Sequence, residues 1–133
     1  MSSRIFINGL VEVSVVANAD ITANATYGPF IEPEPIESAV VAISIGGVSG
    51  TSPSLTVTFN AIDPYAYNYY LANGLASPPN PYYTVSSSSI TAAGGYYVSI
   101  GVVFTMWELT VTVSGTSPSF TNTFISLIGR VSE

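Results

Sequence analysis

The sequence predicts an all-β protein, an antiparallel β-sandwich or jelly roll of about eight strands, in one domain spanning residues 1–133. Three observations lead there. Apolar and polar residues alternate at period two in run after run, with no sustained helical period. The apolar members are mostly β-branched or aromatic, the types that suit a pleated, half-buried surface. Eleven glycines and nine prolines cut the chain into short runs, and 133 residues suffice for one core burying about 65–70% of the unfolded surface.

Taken in order, the first signal is Asn8–Gly9, a strong two-residue hairpin dipeptide. Val11, Val13 and Val15 follow, alternating with Glu12 and Ser14. Residues 1–19 are expected to form either an edge strand or an assembly arm. Tyr27–Ser38, "YGPFIEPEPIES", carries three prolines and three glutamates and is expected to lie outside any central strand. Leu55, Val57, Phe59 and Ala61 share one face of a strand whose other face holds Thr56, Thr58 and Asn60. A second proline-rich loop is expected over Leu71–Tyr83. Ser86–Gly95 then leads into a run with Val98, Ile100, Val102 and Phe104 on one side. Trp107, Leu109, Val111 and Val113 define the next face, opposite Glu108, Thr110 and Thr112.

"VSGTSPS" occurs twice, at Val48–Ser54 and Val113–Ser119, and ten of the twelve positions from Val48–Phe59 recur in Val113–Phe124 at an offset of 65. Each copy sits between alternating runs and combines a glycine with a proline, so each reads as the loop of a β-hairpin. The first would join about 39–49 to 55–62, the second about 107–114 to 119–128. Ser52 and Ser117, each before a proline, are expected to be extended. Two equivalent hairpins in one sandwich are the expectation.

Composition bounds the function. Two basic residues face eight acidic ones, a net charge of −6, with no histidine, cysteine or lysine. Nucleic-acid binding rests on Lys and Arg neutralising phosphates, and Arg4 and Arg130 alone cannot build that footprint. Anionic membrane surfaces are disfavoured for the same reason. The most apolar window, Gly94–Val113, contains Glu108, tandem glycines and strict alternation, so it reads as strands rather than a membrane span. The start, "MSSRIFINGLVEVSVV", is read as carrying no secretory leader, because Glu12 interrupts its apolar run.

The absent side chains also remove serine and cysteine triads, Schiff-base lysines, thiolate metal sites and lysine-bearing phosphate loops. A glycosidase-type carboxylate pair has only poor candidates: Glu108 with Asp63, or two from Glu32, Glu34 and Glu37. These acids read as solvated surface carboxylates. The "EPEPIE" stretch or "NADITAN" (Asn18–Asn24) offers oxygen ligands to calcium, at spacings unlike a glycine-turned calcium loop. Asn24–Ala25–Thr26 matches a glycosylation acceptor triplet. No enzyme activity and no cofactor are expected.

Tyrosine is the distinctive chemistry. Tyr65, Tyr67, Tyr69, Tyr70, Tyr82 and Tyr83 cluster within twenty residues, and rigid rings with one polar tip suit interfaces and sugar-stacking platforms. Packing across a sheet, a protein interface and a carbohydrate surface all remain open readings of them.

The stretches "VSGTSPSLTVTFNAIDP", "TAAGGYYVSI" and "WELTVTVSGTSPSFTNTF" together resemble a recurrent type of small tailed-phage virion protein, over about residues 48–128. The resemblance implies a β-sandwich serving as capsid decoration or another structural part of a virion, with no catalytic residues to carry over. On this reading the partners are copies of the chain itself and a major capsid protein. The alternatives are an extracellular or cell-surface filament subunit that assembles by β-strand donation, and a carbohydrate-binding β-sandwich.

Overall fold

The computed structural model describes residues 3–131. Its elements are β1 (Ser3–Ile7), β2 (Leu10–Ile21), β3 (Ala25–Ile45), β4 (Gly47–Ile62), α1 (Pro64–Asn73), β5 (Tyr83–Ser86), β6 (Gly94–Ile100) and β7 (Phe104–Val131). Asn8 and Gly9, at φ 51° and 80°, make the predicted tight turn between β1 and β2.

The last strand organises everything else. One edge of β7 is lined by β2, from Leu10↔Arg130 to Ile21↔Phe120, and then by the start of β3, from Ala25↔Val111 to Ile31↔Met106. Its other edge is lined by the end of β3, from Ser38↔Arg130 to Ser44↔Phe124, and then by β4, from Gly47↔Thr121 to Ile62↔Met106. Within each β3 ladder the partner numbers fall on β7 as they rise on β3, so pairing is locally antiparallel. The two ladders are separate: the start of β3 meets the start of β7, and the end of β3 meets the end of β7.

Three long strands therefore pass through both layers of a sandwich. Sheet I runs β1, β2, the end of β7, the end of β3, then β6. Sheet II runs the start of β3, the start of β7, the end of β4, then β5. This is the jelly-roll form of the predicted β-sandwich, in which ribbons of paired strands wrap from one sheet to the other.

The repeated "SGTSPS" segments are where the central ribbon turns that corner, and the hairpin reading is corrected here. Neither copy is a loop. They lie across from each other in mid-strand, paired Val48↔Phe120, Thr51↔Thr116 and Leu55↔Val113. Each copy meets the other in reverse order, so like positions fall at like places about a local two-fold. Gly50 and Gly115 have φ of 108° and 114°, and a Cβ on either would lie 2.6–2.7 Å from a carbonyl oxygen of the opposite copy. Only glycine fits both the angle and the approach. Ser52 and Ser117 sit at φ 50° and 49°, left-handed rather than extended, so the demand of the bend overrides the local pre-proline preference. The same sequence appears twice because both strands of one ribbon bend at one place.

Two further expectations change. Tyr27–Ser38 is not a loop but part of β3; Pro33 and Pro35 fall where the ladder skips from Ile31↔Met106 to Ile36, which pairs with both Phe104 and Val131. Missing donors cost nothing in that gap. Residues 64–73 form a helix, not strand or loop, between β4 and the proline-rich segment.

The alternating faces meet between the sheets. Val11, Val13, Val41, Ile125 and Leu127 from sheet I pack on Leu55, Phe59, Trp107, Leu109 and Val111 from sheet II. Phe59 lies edge-on to Phe104 at 4.9 Å and stacks with Trp107 at 6.0 Å, while Trp107 also meets Phe30 at 4.5 Å. Each such buried side chain contributes roughly 1.5–3 kcal/mol, which makes this aromatic cluster the mechanical centre of the sandwich.

Candidate functional site

The helix carrying four of the tyrosines is built from its ends. Asp63 caps it by accepting a hydrogen bond from the Tyr65 backbone N–H at 3.0 Å, Pro64 opens the first turn, and Gly74 closes it in the left-handed conformation at φ 59°. No residue of α1 is buried. Tyr65 is 78% exposed, Tyr69 is exposed, and the rings of Tyr67 and Tyr70 lean on each other at 5.6 Å. The helix sits at the end of the sandwich where Ile31 and Ile62 both pair with Met106, beside the passage of β3 between sheets.

Tyr82 and Tyr83 do different work. The Tyr82 hydroxyl donates to the Val103 carbonyl at 2.8 Å, and burial, then the nearby Asp63 carboxylate, pushes its pKa up. The Tyr83 hydroxyl accepts from the Gly101 N–H at 3.2 Å while its ring meets Phe59 edge-on. Both tie the loop before β7 to the sandwich rim. The predicted cluster thus divides into an exposed helix and two rim tyrosines whose hydroxyls are engaged within the chain.

The acidic residues do not converge. Glu108 accepts from the Asn60 amide at 3.3 Å on the outer face of sheet II, and Asp63 is occupied as a helix cap. Asp20 and Asn24 accept from the backbone N–H groups of Asn122 and Val113. Glu32 corrects the reading of solvated surface acids: its side chain is 1% exposed, and its Oε2 accepts from Arg4 and from the Trp107 indole, each at 2.8 Å. It thereby ties β1 to the aromatic core. Among the described residues no three His, Cys, Asp or Glu side chains are grouped to hold a metal ion, and no helix is long and apolar enough to cross a membrane.

The outer faces of the two sheets are chemically unlike. Sheet II shows the solvent hydroxyls, amides and one carboxylate that bond one another: Thr26 with Thr110 at 3.5 Å, Thr58 with Ser86 at 2.8 Å, and Thr84 with Asn60 at 2.8 Å. Sheet I exposes Ile5, Ile7, Leu10, Tyr97 and Phe124 instead. Between them lie three shallow depressions of ≈ 340, 230 and 170 Å³, whose charged lining residues are Glu12 and Arg130. Sequence reading passed over this face. Its signal was the apolar residue on the nominally polar side of each strand, obscured by a phase change at Asn122, whose φ of 49° turns Thr123 inward and Phe124 out.

No family model matches the chain, and no curated protein matches it. Among solved structures, it is similar to a protein of the disulfide-linked pili that form Bacillus endospore appendages, at 15% identity and TM-score 0.46, covering 100% of this chain and 92% of that one. It is similar to a chain of infectious bursal disease virus Gx strain, at 9% identity and TM-score 0.44, covering 92% of this chain and 36% of that one. A carbohydrate-binding module from glycoside hydrolase family 9 (Cel9A) of Ruminococcus flavefaciens FD-1 overlaps at 12% identity and TM-score 0.38, over 90% and 97% of the two chains. All three overlap loosely, and the jelly-roll assignment rests on this chain's own strand pairing.

Proposed function

We propose that the protein is a non-enzymatic structural subunit of a virion shell, a decoration or coat protein acting by self-association and by contact with a major capsid protein. The observation that carries this reading is the surface: large apolar side chains stand exposed on a chain in which only 8% of residues are charged. A freely soluble surface is normally charge-rich, and contiguous exposed apolar area marks a contact. The resemblance of the strand and turn motifs to small tailed-phage virion proteins supports the same role.

A rigid jelly roll suits it mechanically. The exposed tyrosines of α1 and the neighbouring proline-rich segments stand together at one end, where they offer a second contact surface to the shell. The alternative, an extracellular filament subunit donating a strand, draws support from β1, a short edge strand on a two-residue turn. Immunogold electron microscopy of the native source material tests the choice. Label on closed particles is expected; label confined to filaments, or to dispersed molecules, overturns the virion reading.

A further inference from the structure

We infer that the outer face of sheet I is a self-complementary interface that takes the same face of a second copy of this chain, with Glu12 of each copy against Arg130 of the other. The inference rests on the self-association reading above and names the surface through which it operates.

The face is contiguous by register. Ile7 pairs with Leu10 and Leu10 with Arg130; Ile5 pairs with Glu12 and Glu12 with Ile128; Ala42 pairs with both Ser126 and Tyr97. Residues in these rows point to one side of the sheet, because alternate residues of β2, the end of β3, β6 and the end of β7 are buried in the core and β1 follows β2 by register. Ile7 is 60% exposed, Tyr97 72% and Phe124 46%, so the patch runs from β1 at one edge to β6 at the other. Ser14, Ser38, Ser44, Ser99 and Ser126 share these rows, and the exposed apolar side chains among them form the kind of patch that marks a contact.

Charge selects the occupant. The chain carries a net charge of −6, so most pairings of its surface with itself repel. The depressions of this face hold one carboxylate and one guanidinium, which balance. Arg4 is engaged by Glu32, while Arg130 makes no ion pair among the described residues. A two-fold arrangement of two such faces brings each Arg130 to a partner's Glu12 and seats apolar residue on apolar residue. An isologous interface has this reciprocity: residue i meets j, and j meets i.

The test uses the full chain in sedimentation velocity over a concentration series. Phe124→Asp is expected to raise the dissociation constant of the associated form on the order of thirty-fold. Glu12→Arg and Arg130→Glu are each expected to weaken association about tenfold, since each places like charges together. An equimolar mixture of those two variants is expected to return close to wild-type strength, because both cross-pairs are again of opposite charge, one with its sign reversed and one as in the wild type. That recovery cannot come from a folding defect, so it decides the matter even where Phe124→Asp fails to fold. Wild-type chain that sediments at 13.9 kDa throughout removes self-association itself, and the inference with it. Wild-type association that Phe124→Asp leaves intact, or a mixture that stays as weak as the single variants, overturns this interface alone and leaves the face to a different occupant.

Discussion

The two sheets of this jelly roll share a core and a central strand, yet their outer faces obey different rules. On sheet II, threonines and asparagines bond neighbours across the ladder, as in the chain from Thr84 through Asn60 to Glu108. On sheet I the corresponding positions hold Ile5, Ile7, Leu10 and Phe124. The repeat locates the divergence. Phe59 and Phe124 occupy the same place in the two copies, but Phe59 is 1% exposed and Phe124 is 46% exposed. The ribbon is symmetric at its bend and loses the symmetry five residues beyond Ser117, where Asn122 takes a left-handed angle. One inserted irregularity converts a core aromatic into a surface one. The outer polar groups of sheet II bond one another, while sheet I leaves large apolar side chains exposed.

The sharpest way to break the comparison is to truncate both phenylalanines. Phe59→Ala is expected to cost about 3–5 kcal/mol by cavity formation, whereas Phe124→Ala is expected to cost about 0.5 kcal/mol or less of subunit stability. Urea denaturation at a concentration where the chain is monomeric measures both; equal losses would erase the distinction between the faces. Next in size, Gly50→Ala and Gly115→Ala are each expected to cost about 2 kcal/mol through backbone strain and the opposed carbonyl. Here the two values should agree, and a marked inequality would deny the local two-fold. A smaller effect falls at high pH. The raised Tyr82 pKa means the folded state favours the neutral phenol, so its contribution is complete below the ordinary value of 10.0 and is lost as pH rises through the raised one. Chemical denaturation from pH 8 to 11 is expected to show this decline, and Tyr82→Phe to lessen it, the part that remains coming from Tyr27, whose pKa burial also raises. Least of all, Thr58→Val removes one exposed hydroxyl pair with Ser86 on sheet II, costing about 0.5–1 kcal/mol and leaving association unchanged.

Much of the fold was legible because alternation is a local signal. Leu55, Val57, Phe59, Trp107, Leu109 and Val111 all face the core as their spacing predicts, and Asn8–Gly9 makes its turn. The helix was missed although Asp63–Pro64 and Asn73–Gly74 are sound start and stop signals. With none of its residues buried, α1 has no apolar period to display. The "SGTSPS" crossing was unreadable for a different reason. Glycine, serine and proline suit a hairpin and a bend equally, and the deciding partner lies 65 residues away. Glu32 hid among prolines and other acids, since nothing local tells that Arg4 and Trp107 converge on it. The sequence groups the tyrosines without dividing them, because the roles of Tyr82 and Tyr83 depend on the carbonyl of Val103 and the N–H of Gly101.

Sedimentation velocity of the purified wild-type chain tests the central claim most directly. On the proposed self-association, the chain is expected to sediment as a species heavier than 13.9 kDa whose share grows with concentration. A single 13.9 kDa species at every concentration up to the solubility limit would contradict the account.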